Sequence, residues 1–214
     1  MATKAHSLPE NDIRVILSKV SEIIALADTD ITFATIHLNV INDILTKASS
    51  LYKFTNRILN ITEEIGFRMN FPGDSANVTA DSMALLVSNV NFSSFQDHYF
   101  TVTSYQKAQN VEIISEKPPI DNVVVSIYLP EAIGEEAGLE ASKLQFNFLG
   151  DLSLFLDYTF GNYKLNTYVI GATVDGVTIQ KLDQPVRIKL QHIVDNTEMR
   201  PVKCVFWDIT KNGK

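Results

Sequence analysis

The chain has 214 residues, is 45% hydrophobic and carries a formal net charge of −7. That apolar share is ample for a buried core and excludes a disordered polymer. Acids and bases are interspersed, with acids in excess, which argues against nucleic acid and against an anionic membrane surface as partners.

The length suits one large domain or two small ones. No apolar run approaches the roughly 20 residues that span a bilayer, and Met1 to Glu10 lacks the apolar core of a signal peptide. Taken literally, these two features read as a soluble, non-secreted chain.

Ser7-Leu8-Pro9-Glu10 has the spacing of a capping box, in which Ser7 and Glu10 bond reciprocally to backbone amides. Ile13, Ile16, Leu17, Val20, Ile23, Ile24 and Ala27 follow at helical spacing. Asp28-Thr29-Asp30 offers the next cap. Phe33, Ile36, Val40, Ile41, Ile44, Leu45 and Ala48 mark a second amphipathic helix. Leu51, Phe54, Ile58, Ile61 and Ile65 mark a third, with Gly66 as its expected stop.

At Phe71-Pro72-Gly73-Asp74 the periodicity changes from helical to alternating, which sets the expected boundary between parts 1–74 and 75–214. Strand-like runs follow at Ala80–Val90, Tyr99–Tyr105, Val123–Leu129, Leu144–Phe148, Leu152–Leu156 and Asp157–Phe160. Glu131–Ser142 interrupts them and reads as a solvated loop or one helical turn. Thr167–Val174 and Val177–Leu182 flank Asp175-Gly176, the signature of a type I′ hairpin turn. Two final strands are expected, one with Val186, Ile188 and Leu190 alternating against Arg187, Lys189 and Gln191, the other across Val202–Asp208. Helices first, then about eight to eleven short strands, predict an α+β chain: a helical subdomain followed by an antiparallel β-sandwich.

The last stretch carries the sharpest motif. Pro185, Val186, Ile188, Leu190 and His192 are followed by Cys204, Phe206, Trp207 and Asp208 in CVFWD. This arrangement resembles the start of the GPS motif, which closes the GAIN domain of adhesion G-protein-coupled receptors. The order of helices and strands agrees with that family's helical subdomain A and β-sandwich subdomain B. The resemblance implies a β-ribbon through Trp207, with Phe206, Trp207 and Asp208 as the motif's core. Trp207 reads as an aromatic closing the sandwich, and by resemblance as a brace for the motif's turns. On this reading, Trp207 outside any sheet, or a first third of the chain wound into β-structure, would collapse the assignment and leave only a generic soluble fold.

Cys204 has three readings. Its number alone, one cysteine in the chain, fits a reducing compartment. In the family this position opens a disulfide whose partner lies further along, beyond Lys214. A buried thiol acting as a small hydrophobe is the third. The sequons at Asn60, Asn77 and Asn91 are either ordinary polar positions or N-glycan acceptors; the receptor resemblance favours the latter.

No reactive constellation stands out. His6, His37, His98 and His192 lack metal-ligand spacing, and the carboxylates at Glu131, Glu135, Glu136 and Glu140 lack the alternation of a calcium loop. Neither a metal nor a cofactor is expected, and the chain is read as non-enzymatic. The family cleaves itself at a His-Leu-Thr or His-Leu-Ser site after the motif. That triplet does not occur in this sequence, so self-cleavage of the 214-residue chain is not expected.

The implied role is that of an extracellular receptor module at the plasma membrane. It would hold a tethered-agonist segment, with a seven-helix bundle and adhesion ligands as partners of the whole receptor. The alternative is an unrelated secreted sandwich that binds carbohydrate or another ligand.

Overall fold

The computed structural model describes residues 7–48, 50–106, 111–115, 123–138, 142–155, 164–197 and 201–209. Helix α1 spans Glu10–Leu26 and buries Ile13, Leu17, Val20 and Ile24, a four-three-four spacing that makes one stripe. Its cap is Pro9, with no side-chain cap bond. The expected capping box does not form, and the reason is local. Proline drives the residue before it into extended backbone, and Leu8 there makes a parallel bridge to Ala48, its N–H donating to the Lys47 carbonyl. The chain is thus extended where a box needs it to be curling. Glu10 instead pairs with Arg14 and with Lys53.

Helix α2, Ile31–Lys47, starts as expected: the Asp30 carboxylate accepts from the Phe33 amide at 2.7 Å. Helix α3, Thr55–Arg68, follows a short 3-10 turn at Tyr52–Phe54. It runs through Gly66 rather than ending there. Gly66 sits at a close approach: a Cβ on it would lie 2.2 Å from Gln145 Oε1, so the Gln145 amide would have to move. Gln145 is fully buried and donates to the Thr62 carbonyl at 3.2 Å and to Asn147 Oδ1 at 2.8 Å.

Eight strands lie within the described residues: β1 Ser75–Ala80, β2 Met83–Asn89, β3 His98–Ser104, β4 Glu112–Ile114, β5 Val125–Leu129, β6 Lys143–Leu149, β7 Val169–Val174 and β8 Arg187–Leu190. They form two antiparallel sheets, ordered β1-β2-β6-β7 and β4-β3-β5-β8. One face of the first sheet, with Val78, Met83, Leu85 and Val87, joins the helices in one core. The other face, with Leu86, Leu144 and Phe146, meets Phe100, Ile127 and Leu129 of the second sheet. The result is three layers, helices on sheet on sheet. It explains why Met-Ala-Leu-Leu-Val in β2 is apolar at every position: the strand is covered on both faces. The α+β architecture is therefore as the sequence predicts.

Four local expectations are corrected. Leu152–Phe155 is a 3-10 turn, begun by Asp151 accepting from the Ser153 amide at 2.9 Å. The Asp157–Phe160 run lies outside the described residues. At Asp175-Gly176 only Gly176 has positive φ (68°), so the turn is not type I′. Beyond the Val174–Val177 bridge no second hairpin strand forms, and residues 177–182 line a cleft instead. By contrast, Glu131–Ser142, read as a loop or one helical turn, does contain a short helix, α4, at Ala132–Ala137. Finally, Val202–Asp208 forms no strand.

Candidate functional site: an inter-sheet cleft and the C-terminal segment

Two separate features stand out beyond the core. The first is a cleft of about 730 Å³ between the edges of the two sheets, lined by Ile127, Leu129, Ile133, Leu144, Ile170 and Ile188 among others. Its walls come from β5, β6, β7, β8 and the short helix α4, and the stretch from Val177 to Leu182 borders it. Lys181 there holds φ at 58°, a left-handed backbone rare for a side-chain-bearing residue. Among the described residues both β7 and β8 are edge strands with one neighbour each. Five of six β7 residues are only half-buried, and all four β8 residues are exposed. Ile188 is 54% and Leu190 40% exposed, unusual for apolar residues of a sandwich strand.

The second feature is the C-terminal segment at 201–209. It lies outside both sheets, so the β-ribbon expected through Trp207 is absent. Alternation of Val205 and Trp207 with Cys204 and Phe206 reads as a strand covered on both sides, but the cover is not there: Val205 is 52% and Phe206 87% exposed. Cys204 is exposed and free, which overturns the buried-thiol reading. Of the motif's core, Phe206 points to solvent, while Trp207 and Asp208 are half-buried.

Trp207 does not close the sandwich. It packs against the helical side of the first sheet, where the Phe155 ring meets it edge-on at 5.5 Å. The Trp207 indole N–H donates to Asn56 Oδ1 at 2.7 Å, and Asn56 Nδ2 donates to the Ile209 carbonyl, also at 2.7 Å. Thr55 beside it donates its hydroxyl to the Leu154 carbonyl, tying α3 to the turn that carries Phe155. No sequence signal marks Asn56, because its partners lie at the other end of the chain.

The remaining expected residues are apart from this site. Asn60 lies on the exposed side of α3, Asn77 is exposed on β1, and Asn91 is exposed at the start of a 3-10 turn. The Asn91 carboxamide oxygen accepts from the Ser93 amide at 3.1 Å and the Ser93 hydroxyl at 2.6 Å. His37 is buried, stacked on Phe33 with Nδ1 at 2.8 Å from the Phe33 carbonyl. Among the described residues no group of three or more metal-ligating side chains comes together. No helix among them is long and apolar enough to cross a membrane.

Comparison with known proteins agrees with this architecture. A sequence profile of the family described as GPS, GAIN subdomain B, matches residues 84–214. The human adhesion G-protein coupled receptor G4 is 34% identical over 221 residues, covering 100% of this chain and 7% of the receptor. The mouse adhesion G-protein coupled receptor G2 is 30% identical, covering 99% of this chain and 21% of the receptor. The chain thus spans a small part of the curated relatives it matches. In three dimensions it superposes on the full extracellular region of zebrafish Gpr126/Adgrg6 with a TM-score of 0.84, covering 97% of this chain and 28% of that one at 22% identity. That likeness supports the fold. The profile match extends over the sandwich from β2 onward, so it does not depend on a ribbon at Trp207, and it does not favour an unrelated carbohydrate-binding sandwich. The chain belongs to the GPS/GAIN family of the adhesion G-protein-coupled receptors.

Proposed function

We propose that the chain is the extracellular module of such a receptor and that its cleft holds the tethered-agonist strand. The observation that carries this reading is the apolar cleft between two unpaired sheet edges. A strand added beside β7 would satisfy the backbone groups of that edge and bury Ile188 and Ile170. Open, apolar edges are otherwise an aggregation hazard. On this reading residues 1–74 form subdomain A and 75–214 subdomain B. The module is non-enzymatic, and in the whole receptor it links adhesion ligands to a seven-helix bundle. Asn60, Asn77 and Asn91 would carry N-glycans at the cell surface, and Cys204 would pair with a cysteine of the longer protein.

The test places Ile188→Asp in the longer receptor. Ile188 is exposed in the 214-residue chain, so the variant should fold normally. A loosened agonist strand predicts raised ligand-independent G-protein signalling at unchanged surface expression. Unchanged signalling at wild-type surface level would contradict the proposal.

A further inference from the structure

We infer that Asn56 is the positioning residue of the C-terminal segment, the side chain through which α3 holds the motif residues in place. This holds whether or not the cleft takes a strand. Indole nitrogen is a donor only, so the acceptor facing Trp207 must be the carboxamide oxygen. That fixes the amide's orientation and aims its NH2 at a carbonyl, which is where Ile209 stands. Each half of the amide therefore specifies the other. Leucine at this position supplies neither pair, and aspartate supplies only the acceptor.

The surroundings show why the clasp matters. The segment gains no sheet ladder, and Val202, Val205 and Phe206 face solvent at 67%, 52% and 87% exposure. Trp207 is the residue that reaches the core, and Asn56 meets its one polar atom. The Asn56 bond to Ile209 then grips the backbone on the far side of Trp207 and Asp208. Thr55, through the Leu154 carbonyl, sets the turn that presents Phe155 to the indole. The first turn of α3 thus holds both walls of the Trp207 seat. Displacing that turn releases the contacts of Trp207 and Ile209, so the helical layer controls the placement of Trp207.

Trp207 is the only tryptophan, so its signals report this contact alone. Two readouts on the 214-residue chain test the inference: water exchange of the indole N–H by NMR, and the rate of trypsin cleavage after Lys203. Asn56→Ala should speed both by about tenfold, the loss of one to two hydrogen bonds. Asn56→Asp keeps the indole acceptor but sets an oxygen against the Ile209 carbonyl. It should speed cleavage while leaving indole exchange near wild type. Asn60→Ser, one turn along the same helix, should alter neither. A folded Asn56→Ala chain with wild-type indole exchange and cleavage would overturn the proposal. Should the Ala variant not fold, the Asp variant decides: wild-type cleavage there overturns it equally.

Discussion

Strands β2 and β8 are both paired antiparallel to a neighbour, yet they sit in opposite environments. Six of the seven β2 residues are buried, while all four of β8 are exposed. Sheet hydrogen bonds are the same in kind; what differs is cover. Helices lie on one face of β2 and the second sheet on the other, whereas β8 is an edge strand flanking the cleft. Pairing alone therefore does not make a core. The helical side of the molecule holds the larger core, and the β7–β8 side leaves two edge strands beside an open cleft.

Core truncation should separate the two regions most strongly. Leu17→Ala, at a fully buried site, should cost about 2–5 kcal/mol, whereas Ile188→Ala should stay within about 0.5 kcal/mol. Urea unfolding of the two variants measures both; equal losses would erase the distinction. A smaller effect is expected at Gly66→Ala, about 1–3 kcal/mol, because the new methyl displaces Gln145 from the Thr62 carbonyl. If the glycine served only as a helix stop, the alanine would be neutral or stabilising.

The smallest effect is pH-dependent and lies at the junction of α3 with β7. Burial pushes the Glu63 carboxyl above its usual range, with Asp175 adding to the rise and a hydrogen bond from Thr173 opposing it. The folded state therefore keeps this proton more readily than the unfolded one. Its stabilising contribution is fully present below the unfolded value and is lost as pH rises through the raised folded value. Glu63→Gln should flatten that part of the stability curve, read as melting temperature against pH. A steeper slope in the variant would reverse the sign argued here.

Much of this was legible in the sequence because the determinants are local. The three helices follow from stripes such as Ile13, Leu17, Val20 and Ile24, and the Asp30 cap from its place before Phe33. The change of periodicity after Pro72 precedes the first strand at Ser75. What escaped sequence reading depends on distant partners. Gly66 looks like a terminator, and only Gln145 reveals it as a contact point. Apolar residues on both sides of Val202–Asp208 imitate a covered strand, but no layer covers them. Placing Trp207 in a sheet was therefore too strict a condition for the family. The indole finds its cover on Phe155 and Asn56, which no periodicity could indicate. Within the cleft, each lining residue looks like an ordinary core position; only the sheet order leaves β7 and β8 as edges.

The central question is whether the β7 edge receives one more strand. Hydrogen exchange of residues 169–174, measured in the 214-residue chain and again in the chain extended by its own downstream sequence, addresses that directly. The β7 amides pointing away from β6 should exchange freely in the shorter protein and become strongly protected in the longer one, with β2 unchanged. Equal exchange at β7 in both would contradict the account.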